Sequence, residues 1–204
     1  MNETRYGRLV LTLIAVWFVL ALTVSVSGVL KGAPGTPPVA LGLTASLPIL
    51  IYIVWFVASA GFRNFVLGLN PRTLVYVQSW RIAGFVFIAL YSLGLLPGFF
   101  ALPAGWGDIA IGATAPLAAM YLTRPDRKAG FLLWQMLGMA DLVTALTMGA
   151  STGLIHPEST APTILVTLPM SMIPTFGVPL FFILHLISIA QARGWRSMPS
   201  EIPV

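Results

Sequence analysis

The chain contains no cysteine, which removes disulfides, thiolate catalysis, iron–sulfur clusters and Cys-based zinc sites together. Charge is almost as scarce. Only 8% of the 204 residues are charged and 57% are hydrophobic, whereas a soluble domain carries about 25% charged residues. A water-exposed globular surface cannot be built from this composition. Lysine occurs only at Lys31 and Lys128, both at loop positions, so no Schiff-base lysine lies within an apolar run. There is no serine nucleophile elbow, Gly-rich phosphate loop, dinucleotide turn or His-Glu-x-x-His pair. His156 and His185 form no spacing motif for zinc or haem. No metal and no cofactor is expected.

What remains is hydrophobic length. Six nearly charge-free stretches, roughly 9–30, 40–60, 74–96, 101–122, 130–150 and 163–191, are each long enough to cross a bilayer, which takes about 20 apolar residues. Breakers separate them: Lys31 to Pro38, the Arg63–Arg72 region with Asn70-Pro71, Pro97-Gly98, Arg124 to Lys128, and Ser151 to Pro162. The first run exceeds the apolar core of about 7–15 residues found in a cleaved signal peptide. An uncleaved first span is therefore expected, with Ser25-Val26-Ser27-Gly28 as the alternative cleavage point.

The formal charge of +5 and pI near 10.1 would suggest nucleic acid in a soluble protein. Here the bases flank apolar spans, so anchoring at a membrane surface accounts for them and no nucleic acid is expected. Arg5, Arg8, Arg63, Arg72, Arg124, Arg127, Lys128, Arg193 and Arg196 fall on one side of a six-crossing topology, and Lys31 on the other. Cytoplasmic loops are enriched in Lys and Arg. The sequence thus predicts an all-α, single-domain bundle over 1–204, multi-pass in an inner membrane, with six transmembrane helices and both termini cytoplasmic. The loops are too short for a soluble domain, and 195–204 reads as a short disordered tail. The expected partners are the bilayer and either a second copy or another membrane subunit.

Asp141 is the most informative single residue. It lies deep in the fifth stretch, where a carboxylate costs about 2.5–3.5 kcal/mol on insertion scales, so it must be paired, wet or protonated. Arg81, in Gln78-Ser-Trp-Arg81, is close enough to mid-span for its long stem to reach Asp141. The alternative is a span over 82–102 with Trp80-Arg81 anchored at the interface. Asp108 depends on the same register. A turn at Pro97-Gly98 buries it about 13 Å deep, at the level of Asp141. A turn at Pro103-Ala-Gly105 leaves it at the interface, near a helix N-terminus. If the two carboxylates meet, one is expected to hold a proton near neutral pH. His185 in the sixth stretch is either satisfied by a neighbouring group or acts as a proton relay at the depth of Arg81.

Prolines 162, 169, 174 and 179 recur around Ser171, Thr175 and Gly177. They predict either a kinked last span packed on its neighbours, or a broken one whose freed carbonyls and hydroxyls, Thr175 among them, coordinate an ion or substrate. Small residues such as Gly107, Gly112, Ala115 and Ala119 allow close helix approach. A gapless internal match aligns Gly105–Thr114 with Gly138–Thr147, as a remnant of an inverted repeat would.

The binding candidates are therefore Asp141, Arg81, Asp108, His185, Gln78 and Thr175, with no catalytic residue named. The leading expectation is a small proton-linked transporter or channel-like protein. The alternatives are a non-catalytic accessory or scaffold subunit, and a membrane enzyme acting on a lipid or quinone.

Overall fold

The computed structural model describes residues 3–33, 35–156 and 159–195 and is all-helical, with no strand among the described residues. Helix α1 covers Glu3–Ser27 and α2 covers Val39–Ala58. A short α3, Ala60–Leu67, follows, started by the Ser59 hydroxyl accepting from the Phe62 amide at 3.2 Å. Helix α4, Pro71–Val77, is capped by Asn70, whose side-chain oxygen accepts from the Arg72 amide at 2.9 Å. It continues through a tightened 3-10 stretch, Gln78–Gly84, into α5, Phe85–Ser92. Helix α6 is Gly98–Tyr121, α7 is Lys128–Ile155, α8 is Ala161–Leu165 and α9 is Val178–Arg193.

Among the described residues, five segments are long and apolar enough to cross a membrane: Thr4–Ser27, Val39–Ala58, Pro71–Ser92, Pro125–Ile155 and Ile173–Arg193. The expected stretch at 101–122 corresponds to α6, which has the length but not the same apolarity. Its 24 residues include Pro103, Pro116, several glycines and Asp108. The turn before it settles the register: Gly94 adopts φ 71°, the Leu95 amide donates to Leu90, and α6 begins after Pro97. A span over 82–102 is thereby excluded, as is a turn at Pro103.

The last stretch departs most from expectation. An unbroken 163–191 is replaced by α8, a run of turns, a wide π turn at Ile173–Gly177, and α9. The prolines explain the break, since each removes a backbone donor and crowds the preceding turn. One freed carbonyl, on Thr175, accepts from the Trp17 indole at 3.2 Å, which fastens α1 to the break. Pro157, Glu158 and the tail beyond Trp195 lie outside the described residues, and with them the predicted disordered end.

Three apolar cores are found among the described residues. The smallest, with Tyr52, Phe62, Val66, Leu74 and Ile187, joins α2, α3, α4 and α9. The other two lie at either end of the 71–92 segment and α6. One gathers Val75, Ile111, Ala115, Ala119, Phe131, Trp134 and Ala192, toward the end where Arg72, Arg124 and Arg193 lie. The other gathers Phe87, Phe100, Ala101, Ala104, Ala161, Leu165 and Met170. Both draw on the 71–92 segment and on α6. At the first end the Lys128 ammonium donates to the Trp195 carbonyl at 3.1 Å, tying the start of α7 to the end of α9. Arg81, Asp108 and Asp141 each fall, along their own helices, between residues of these two cores, and His185 lies on α9 seven residues before Ala192 of the first.

Candidate functional site

Arg81 is the centre of the layer between the cores. Its side chain is 1% exposed, so every guanidinium hydrogen bond must come from protein. The Nε–H donates to Asp108 Oδ1 at 2.8 Å, and the Nη2–H to Asp141 Oδ2. The Nη1–H groups meet the Gly138 carbonyl at 3.1 Å and His185 Nε2 at 3.2 Å. Four helical segments therefore converge on one side chain: the 3-10 stretch, α6, α7 and α9.

Arginine has donors only. His185 Nε2 must therefore accept, which places the ring hydrogen on Nδ1, where it faces Gln135 Oε1. Gln135 and His185 are both buried. The guanidinium is thus held by two carboxylates, a carbonyl and an imidazole lone pair, a donor set of the kind that usually surrounds a cation. Two carboxylates against one guanidinium leave a formal surplus of one negative charge in the apolar middle of the bundle.

The backbone makes the approach possible. A Cβ at Gly107 would strike the Asp141 carboxylate, at Gly84 the Asp108 Cβ, and at Gly138 the His185 ring. At Gly112 it would strike the backbone amide of Ile82, which cannot swing aside. Overpacked interiors cost typically 1–3 kcal/mol, so these positions fix the spacing of the layer. Gly84 ends the 3-10 stretch three residues beyond Arg81, and such mid-helix stretches often mark hinges or strain. The two Gly-x-x-Asp segments of the internal match, Gly105–Asp108 and Gly138–Asp141, lie on α6 and α7 and deliver their carboxylates to the same arginine.

Four of the six expected residues, Arg81, Asp108, Asp141 and His185, are brought together. Gln78 lies alongside. Its Nε2 donates to the Phe181 carbonyl at 3.2 Å, while its Oε1 has no protein partner. Thr175 stands apart, with its hydroxyl bonded to the Ser171 carbonyl at 2.7 Å and its own carbonyl taken by Trp17. In the same break the buried Ser171 hydroxyl oxygen has no protein partner. Gln135 is the residue that sequence reasoning missed, along with Gly84 and Gly138. Its signal was weak, a neutral amide one position after Trp134 and six before Asp141.

Three buried polar atoms at or beside the layer have no protein partner: Gln78 Oε1, Ser79 Oγ and Gln135 Nε2. Away from the basic end, an open cavity of about 260 Å3 is lined by Lys31, Thr36, Thr152, Ser159 and Thr163. Leu41, Gly149, Ala150 and Leu165 line both it and a small apolar void of about 40 Å3, which also touches Phe87, Phe100 and Ala145. Ala145 is one helical turn from Asp141. The sequence of environments is a polar mouth, a dry constriction, then the charged layer.

A family model spans residues 36–193 and takes in every residue of this layer. The chain belongs to that family, described as Domain of unknown function (DUF8737). Helix α1 precedes the matched region, and the five other long helical segments fall within it. No curated protein and no solved structure matches the chain.

Proposed function

We propose that the chain is a small proton-linked transporter of an inner membrane, with α6 as a sixth crossing and both termini on the cytoplasmic side. The observation that carries this reading is the surplus at Arg81. A structural ion pair in hydrocarbon needs one carboxylate, and a second is expensive unless something exchangeable neutralises it. A proton is the simplest such occupant. When it binds Asp141, Arg81 keeps Asp108 as its one anionic ligand, with only the neutral Gly138 carbonyl holding it to α7, which weakens the grip of α7 on the 3-10 stretch. When it leaves, the clamp re-forms. The unpaired amide and hydroxyl atoms beside the layer supply hydrogen bonds that a polar solute passing through would use. The mouth lined by Lys31 and the hydroxyl groups is the route of entry, and the apolar void below it is the closed gate. The bilayer, with a second copy or another membrane subunit, completes the assembly.

The test is proton flux into proteoliposomes with a trapped pH dye. Asp141→Asn keeps a hydrogen-bonding group of the same size and removes the titratable one. It should abolish flux, at least a hundredfold, while the variant still inserts and elutes as the wild type does. Wild-type flux in that variant would remove the proposal.

One observation favours a second reading, an accessory subunit in which the layer only sets helix packing. Neither the mouth nor the apolar void is lined by Arg81, Asp108 or Asp141, so neither cavity opens onto the clamp in this conformation. Buried ion networks can often be replaced by well-packed apolar groups at little cost. If Arg81→Leu combined with Asp108→Leu and Asp141→Leu kept both stability and cellular phenotype, the accessory reading would stand in place of transport.

A further inference from the structure

The largest of the three cavities lies away from the charged layer, at the basic end. It is an open groove of about 540 Å3 between α4 and the end of α6, lined by Arg72, Thr73, Tyr76, Pro116, Tyr121 and Arg124 among others. We propose that this groove holds the phosphate headgroup of an anionic phospholipid. The two guanidinium groups come from different segments and converge on one space. Neither is in an ion pair, and among the described residues the one acid near this turn, Asp126, faces Arg127 at 3.7 Å on the exposed surface. Two arginines without a counter-charge at a lipid–water boundary attract anionic lipid, each contributing on the order of 1 kcal/mol near the surface. Arginine also suits phosphate better than lysine does, because its planar fork can make paired hydrogen bonds.

The rest of the groove matches the rest of a lipid. Tyr76 and Tyr121 are exposed with their rings at the same end of the bundle, and tyrosine is enriched at headgroup level. Met120 and Leu117, on the neighbouring turn of α6, present apolar side chains outward, each more than half exposed. An acyl chain leaving the headgroup would run along them. A free phosphate would use the arginines and leave this apolar face uncovered, which is why a lipid is the better fit. The same groove lies on α4 and α6, the segments that lead directly to Arg81 and Asp108, but lipid binding there does not depend on transport.

The experiment is native mass spectrometry of the full-length protein in detergent, titrated with dioleoylphosphatidylglycerol and, separately, dioleoylphosphatidylcholine. The wild type should retain the glycerol lipid selectively. Arg72→Gln with Arg124→Gln should weaken that retention roughly thirtyfold, the combined effect of two such charges. Arg72→Lys with Arg124→Lys should fall between. The comparison variant, Arg8→Gln with Arg127→Gln, removes the same charge from exposed positions outside the groove and should bind as the wild type does. Thermal melts of all variants verify that folding is intact. Equal loss in the comparison variant would overturn the proposal in favour of general surface attraction. Equal retention of the choline lipid would overturn it too, as would complete displacement of the glycerol lipid by 10 mM inorganic phosphate.

Discussion

Helices α1 and α2 and helix α6 obey opposite rules. The two N-terminal helices carry the two most hydrophobic windows of the chain's candidate spans, and only 11% and 17% of those windows are buried against the rest of the chain. Helix α6 is the one long helix among the described residues that falls short of the hydropathy of a membrane span, yet it packs against α4, the 3-10 stretch, α5 and α7. In water, hydrophobicity marks the interior. In a bilayer the solvent is itself apolar, so strong hydrophobicity marks the lipid-facing rim. Glycine, alanine and an ionisable group mark the centre. The long helix that hydropathy alone does not mark as a span is the one around which the others are organised.

This contrast can be broken most severely at Arg81. Arg81→Leu leaves two carboxylates in the bundle without their cation, and removing one partner of a buried pair costs about 3–5 kcal/mol. The expected result is loss of monodisperse protein after extraction; a yield and melting temperature equal to wild type would show that the layer is not the energetic centre. A smaller effect is expected from backbone spacing. Gly112→Val pushes α6 off the Arg81–Ile82 backbone and should cost about 1–3 kcal/mol. Gly42→Ala in α2, where an added Cβ meets nothing within 4 Å, should be neutral or slightly stabilising. Thermal unfolding in detergent compares the pair directly, and equal melting temperatures would erase the distinction between rim and centre. The smallest effect belongs to the rim itself. Leu20→Ala and Val54→Ala, at positions 58% and 65% exposed, should stay within about 0.5 kcal/mol of wild type.

Much of the layer was legible because hydrocarbon makes charge conspicuous. Asp141 and Arg81 could not sit where they do without partners, and Asp108 followed once the turn at Pro97-Gly98 was weighed. His185 was visible as the one histidine inside an apolar run. Gln135 was not, because a neutral amide carries no comparable penalty and does not stand out among its neighbours. The glycines were read as general packing residues. Their particular contacts, such as Gly107 against Asp141, depend on helix rotation, which a hydrophobicity profile with little periodic contrast does not fix. The 3-10 stretch at Gln78–Gly84 had no local breaker before its last residue, so nothing in Gln-Ser-Trp-Arg announced it. The proline-rich last span shows the reverse: the break was foreseeable, but the sequence left open whether its polar groups would face the centre or satisfy one another.

The hydrogen on His185 Nδ1 has one further consequence. The ring's other nitrogen is already spoken for by a guanidinium that can only give hydrogens, never take them. Imidazolium at position 185 and Arg81 in its present seat are therefore mutually exclusive, like two keys cut for one lock. Any event that charges the ring must displace the arginine from Nε2.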